Sequence, residues 1–171
     1  PVEVLSLYDH VNSKTEDMKW AIQDFKCTDD GEEIAAAIRA GVCIAVSDGS
    51  YKNDFGTAAF IIQGKNEIGE IRNSMVIPGS PEDQSAYRSE LGGIYGIVAM
   101  IQEVCEYHEI TNGYVEFGCD GDRAVRQCLK RGTVAPTAPQ FNLIAAIRSM
   151  LQKLPVKWSG RWVRGHQDAY F

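Results

Sequence analysis

Apolar positions fall into two periods along the chain, and they divide it into elements. Residues 42–46 (Val42-Cys43-Ile44-Ala45-Val46) are continuously apolar. Such a run suits a central strand covered on both faces. It ends at Asp48-Gly49-Ser50, read as a turn. Two further strands are predicted over 57–63 and 68–77, joined by a hairpin turn over 64–67. Pro78-Gly79-Ser80-Pro81 breaks the pattern. A long helix follows over 85–109, a short strand over 114–119, and a helix over 123–131 ended by Gly132. An amphipathic helix over 140–154 and a last strand over 156–163 complete the pattern. Trp158 and Trp162 share one face of that strand and read as core. Upstream, Asp29-Asp30 cap a short helix up to Ala40, with Gly41 just past its end. Val2, Val4 and Leu5 suit a short strand, and the rest of 1–29 reads as linker.

This order predicts an α/β fold: a five-stranded mixed sheet flanked by helices on both faces. The first three strands form an antiparallel meander and the later ones are parallel. The boundary falls near Gly41, giving an N-terminal extension with a short helix over 1–40 and one domain over 41–171.

Composition adds little until charge is located. The 171 residues carry 17 Lys/Arg and 23 Asp/Glu, net -6, which argues against nucleic acid on average. The distribution argues otherwise. Residues 1–122 hold 8 basic and 22 acidic side chains, whereas 123–164 hold nine basic and no acidic ones. An acidic part can hold cations while a basic part holds phosphates; intramolecular charge balance is the plainer alternative. No apolar run reaches the roughly 20 residues of a membrane helix, and no membrane partner is expected. Residues 1–20 lack the apolar centre of a signal peptide. Five cysteines without a CxxC pair point to a reducing, intracellular setting, cytoplasm or nucleus.

The informative residues are three carboxylates. Asp48 and Asp120 each follow an apolar strand, where sites form at a sheet's edge, although a turn or cap also suits Asp. Asp122 reads as the cap of the next helix. On the long helix, at about 100° per residue, Glu90 falls amid the apolar stripe of Ala86, Ile94, Ile97, Ile101 and Val104, all within about 40° of it. Glu103 and Glu106 fall on the far, wet side. A buried carboxylate needs a cation, a network or an arginine. The small residues Ala86 and Gly93 let this helix approach the sheet. If Asp48, Glu90 and Asp120 converge, their mutual repulsion is relieved by a divalent cation, and carboxylate oxygens suit Mg²⁺ or Mn²⁺. His10 and His108 are not expected as ligands.

In this order, Val46-Ser47-Asp48-Gly49-Ser50, Gly56-Thr57-Ala58-Ala59-Phe60, Tyr87-Arg88-Ser89-Glu90-Leu91, Phe117-Gly118-Cys119-Asp120-Gly121 and Val163-Arg164-Gly165-His166 resemble the ribonuclease H family. The nearest likeness is to the RNase H domains of retroelement reverse transcriptases, over about 42–168. The resemblance implies an RNase H-like fold and hydrolysis of the RNA strand of RNA/DNA hybrids. Two ions, Mg²⁺ or Mn²⁺, would be held by Asp48, Glu90 and Asp120, and His166 would assist product release. It also implies a reverse transcriptase domain in the same polyprotein, to which residues 1–40 would connect. The family's fourth carboxylate lies about ten residues beyond the histidine, whereas Asp168 stands two beyond it. Either that acid lies past the end of this chain, or Asp168 substitutes for it as a weak ligand, or one metal is held weakly. Arg123, Arg126 and Lys130, at helical spacing just after Asp120, are expected to hold substrate phosphates together with Ser50. The alternative function is a non-catalytic RNase H-like nucleic-acid-binding or scaffold module. A DNA-cutting transposase or integrase is disfavoured, because there the glutamate comes last.

Overall fold

The computed structural model describes residues 5–129 and 134–163. Its elements are α1 (Leu7–Asn12), α2 (Glu16–Ile22), β1 (Lys26–Cys27), α3 (Glu32–Ala40), β2 (Cys43–Lys52), β3 (Phe55–Gln63), β4 (Glu70–Val76), α4 (Ala86–Tyr107), β5 (Tyr114–Cys119), α5 (Asp122–Cys128), α6 (Phe141–Lys153) and β6 (Lys157–Trp162). The sheet has six strands in the order β1-β4-β3-β2-β5-β6. β2, β3 and β4 form the expected antiparallel meander, and β5 and β6 add in parallel. The sixth strand is β1, which pairs antiparallel with β4 through Lys26↔Arg72 and Cys27↔Ile71. Two residues are too short to show a period-2 pattern, so no periodicity marks this strand.

The other large difference is residues 5–29. Instead of linker, they form α1, α2 and β1, and Leu7, Val11, Ala21 and Ile22 enter the same hydrophobic core as α4 and the sheet. Val2 and Val4 lie outside the described residues. The core therefore runs unbroken across Gly41, whose φ of 77° ends α3 in the left-handed region that glycine adopts without cost.

α4 is the hub. Every other helix contacts it, so the described helices gather on α4's side, with α3 crossing the sheet's end against Gly64, Gly69 and Gly113. The expected cover on both faces is thus seen on one face among the described residues, and Ile44, on the other, is exposed. α4 is buried nearly all round. Ile94, Ile97, Ile101 and Val104 face the core as expected, whereas Ala86 is exposed. Among the described residues no helix is long and apolar enough to cross a membrane.

Glu103, expected on the wet side, is 1% exposed because α1 covers it. Its carboxylate lies 3.1 Å from both His10 Nε2 and Lys14 Nζ. Burial, with Glu106 beside it, pushes the Glu103 carboxyl up to about 7. The folded chain thus keeps a proton that the unfolded chain releases near 4.5. Stability from this group is fully present below that value and is lost as pH rises through about 7, a change on the order of 3 kcal/mol. His10 has the opposite sign: burial and Lys14 lower its pKa, so its contribution grows with pH up to its ordinary 6.5. Glu103→Gln is expected to lose less melting temperature than the parent between about pH 5 and pH 8. Parallel melting curves for the two proteins would contradict this.

Candidate active site

The register of the ladders builds the site. β2 and β5 run parallel and their last pair is Ser47↔Cys119. β2 does not stop there. It continues with β3 alone to a two-residue turn at Asn53 and Asp54, with φ of 54° and 61°. Asn and Asp tolerate that region, which is why the hairpin turns there and not at Asp48-Gly49-Ser50. Asp48 is therefore mid-strand, at the first position where β2's other edge has lost its neighbour. Asp120 is the first residue past β5, beside it.

Glu90 arrives from α4. Ser85 caps that helix by accepting from the Arg88 N–H at 3.0 Å. Arg88 donates to Pro78 O and to Gln140 Oε1, tying the start of α4 to two loops. Close approach then needs missing side chains. A Cβ on Gly49 would lie 2.5 Å from Glu90 N and from Ser89 C. One on Gly93 would press on Ser47 at 3.0 Å. A Cβ on Gly121 would overlap the Glu90 carboxylate itself. Of the small residues read as clearing the approach, Gly93 does so and exposed Ala86 does not.

Two of the three carboxylates meet, and the third acts on both. Ligand atoms of Glu90, Asp120 and Cys119 all lie within 4.8 Å of one another. Asp48 reaches both of the others: its charge acts on Glu90 and its side chain hydrogen-bonds Asp120. Burial, then the Asp48 charge, raises the Glu90 carboxyl above its ordinary range. Burial also raises Asp120; the Asp48 hydrogen bond opposes this and the Glu90 charge adds to it. Among the described residues neither Glu90 nor Asp120 is ion-paired with Lys or Arg, so the salt-bridge alternative for Glu90 is not met. The half-buried hard oxygens of Glu90 and Asp120 are donors that fit Mg²⁺ or Mn²⁺.

The substrate candidates divide. Arg123 is exposed, and its guanidinium sits 4.1 Å over the Tyr87 ring, adjoining Glu90. Arg126 is exposed and pairs with Asp122 at 3.1 Å. That pairing occupies Asp122, and the cap of α5 is Gly121, not Asp122. Ser50 is exposed two residues beyond Asp48, opposite Thr57. Lys130, His166 and Asp168 lie outside the described residues. Charge balance also claims part of the basic stretch: Arg161 pairs with Glu116, and Arg148 donates to Gln127 O.

Four residues went unread from sequence. Cys119 was counted only for its redox meaning. Tyr87 and Gly121 gave no signal beyond adjacency to the motifs. Trp162 was read as core with Trp158. Trp158 does pack on the core near Phe117, but Trp162 is 46% exposed and its indole N–H donates to Asp120 O at 2.8 Å. With Val163 N donating to Cys119 O at 2.9 Å, it fixes the backbone that carries Asp120.

No protein-family model and no curated protein matches this sequence. Solved structures do match. RNase H1 of the halophilic archaeon Halobacterium salinarum NRC-1 is similar with TM-score 0.52 and 12% identity, over 74% of this chain and 89% of its own. LC11-RNase H1, isolated from compost by a metagenomic approach, is similar with TM-score 0.56 and 13% identity, over 76% of this chain and 89% of its own. The same enzyme in complex with an RNA/DNA hybrid gives TM-score 0.52 and 13% identity, over 75% and 89%. With the meander, the parallel strands and the central α4 all in place, the chain has the ribonuclease H-like fold.

Proposed function

We propose that this chain is a divalent-metal-dependent endonuclease that hydrolyses the RNA strand of RNA/DNA hybrids. The observation that carries this reading is the meeting of half-buried Glu90 and Asp120, with Asp48 acting on both and no basic partner for Glu90 or Asp120 among the described residues. The likeness to RNase H1 structures, one holding an RNA/DNA hybrid, supports the substrate class. Within that class we read the chain as the RNase H domain of a retroelement reverse transcriptase polyprotein, on the motifs around Asp48, Glu90 and His166. Five unpaired cysteines support an intracellular setting.

In this reading Asp48, Glu90 and Asp120 hold the cations. Two such ions, when bound, activate a water for in-line attack and stabilise the departing 3′-oxygen. The protein's own part is positioning. Gly49, Gly93 and Gly121 let Glu90 reach the strand ends, and Trp162 anchors Asp120. Tyr87 holds the Arg123 guanidinium beside the site, where it meets a backbone phosphate; Arg126 and Lys130 extend the same contact. Selection of RNA rests on backbone shape and 2′-hydroxyls.

The test incubates labelled RNA/DNA hybrid, double-stranded DNA and single-stranded RNA with the protein in Mg²⁺, Mn²⁺ or EDTA. Cleavage is expected in the RNA of the hybrid alone, and is abolished by EDTA and by Asp48→Asn. Equal cutting by Asp48→Asn removes the assigned metal role. Cutting of DNA overturns the substrate class. Hybrid binding without cutting in either metal favours the scaffold alternative.

A further inference from the structure

α1 and α4 meet at a second cluster of ligand-type side chains, thirteen residues or more along α4 from Glu90. Glu103 and Glu106 stand one turn apart on α4, and His10 reaches them from α1. Ligand atoms of all three lie within 4.8 Å of one another. The individual separations are tighter: His10 Nε2 is 3.1 Å from Glu103 Oε1 and 3.2 Å from Glu106 Oε2.

Those lengths have a chemical meaning. Zinc bonds of about 2.0–2.1 Å to nitrogen and oxygen, at tetrahedral angles, place neighbouring ligand atoms about 3.3 Å apart. His10, Glu103 and Glu106 already have two such edges. A fourth atom completes the figure: Lys14 Nζ lies 3.1 Å from Glu103 Oε1 and 2.7 Å from Glu106 Oε2. An ammonium is a cation and needs no metal, so the arrangement also reads as a plain salt-bridge network. A second observation tells against that. Glu103 is 1% exposed, and neither of its carboxylate oxygens has a well-formed hydrogen bond among the described residues. His10 and Lys14 approach Oε1 to 3.1 Å as ion pairs, but the buried carboxylate is left without a hydrogen bond, which is costly. The Lys14 side chain is 28% exposed, so its head group can turn out to water and vacate its vertex.

We propose that His10, Glu103 and Glu106 form a second cation site, for a tetrahedral transition-metal dication of the zinc class, with Lys14 at the fourth vertex balancing the carboxylates until the ion displaces it. Imidazole with two carboxylates suits that class better than Mg²⁺, which prefers six oxygens. His10 lies more than ninety residues before Glu103 and Glu106 in sequence, so the ion would staple α1 to α4. The site is independent of the nuclease reading.

The probe is Co²⁺, whose tetrahedral complexes absorb strongly in the visible and whose octahedral ones absorb weakly. The full chain carrying Glu90→Gln and Asp120→Asn is titrated, so that the Glu90, Cys119 and Asp120 set is broken up. One equivalent with a tetrahedral spectrum, displaced by Zn²⁺, is expected. His10→Ala and Glu106→Gln should each abolish that spectrum while circular dichroism stays unchanged. Lys14→Met should tighten binding by about tenfold or more, since the competing ammonium is gone. That gain cannot arise from misfolding. Absence of stoichiometric binding, a spectrum that survives His10→Ala, or a Lys14→Met protein that binds no more tightly would each overturn the proposal.

Discussion

Replacing Glu90 by Gln should lower cleavage of the RNA strand by about 10³-fold, several kcal/mol of lost transition-state stabilisation, with little change in the fold. The size follows from what Glu90 does and does not touch. Its carboxylate meets Asp120 and feels the Asp48 charge, so in the proposed reading it holds a cation. It makes no ion pair with a basic residue among the described ones, so its loss strands no buried partner charge. Burial and Asp48 raise its carboxyl pKa; the folded protein therefore pays for holding it ionised, and a neutral amide relieves that cost. The expected pair of results is a melting temperature equal to or above the parent's and a rate far below it. A structural carboxylate would behave the other way, with activity falling only as stability falls. Single-turnover cleavage and thermal melting on the same preparation distinguish the two.

Gly121→Ala is the second large effect, and it touches no ligand. The backbone at Gly121 has φ of -83° and ψ of 97°, open to any residue, so strain is not the cause. The cause is space: a methyl group there would overlap the Glu90 carboxylate. Either Glu90 turns away or the 119–121 segment shifts with Asp120. A displacement near 1 Å at a catalytic group costs about 10²-fold. The loss should appear in the rate and in Mg²⁺ dependence, with hybrid affinity nearly intact, because Arg123 and Arg126 stand on α5 beyond the clash. A Gly121→Ala protein with parental activity would show that Glu90 need not occupy its place near Asp120.

The legible parts of this chain were those with a strong period or an improbable residue. β3, β4, α4, β5 and α6 fall within a few residues of expectation because each has several apolar repeats. Glu90 was legible because a carboxylate in the middle of an apolar stripe is costly. Glu103 was misread by the same geometry. Helical phase gives the side of a helix, not what covers it, and α1 lay in a stretch too short and weakly periodic to be recognised. Asp48 was read as ending its strand; it stands in mid-strand, open toward Glu90 and Asp120 because β5 ends beside it, a fact of register invisible in one sequence. Gly121 and Trp162 act through contacts between distant segments, which no local pattern encodes. The basic stretch was half legible: its sum was plain, but which arginines are spent internally was not.

The most direct measurement of the central claim is calorimetric titration of the parent protein and of Asp120→Asn with Mg²⁺, a cation that the His10 cluster suits poorly. Saturable binding by the parent, lost in Asp120→Asn although its melting temperature is kept, is the predicted result. Equal Mg²⁺ binding by both proteins would contradict a shared cation cradle at Asp48, Glu90 and Asp120.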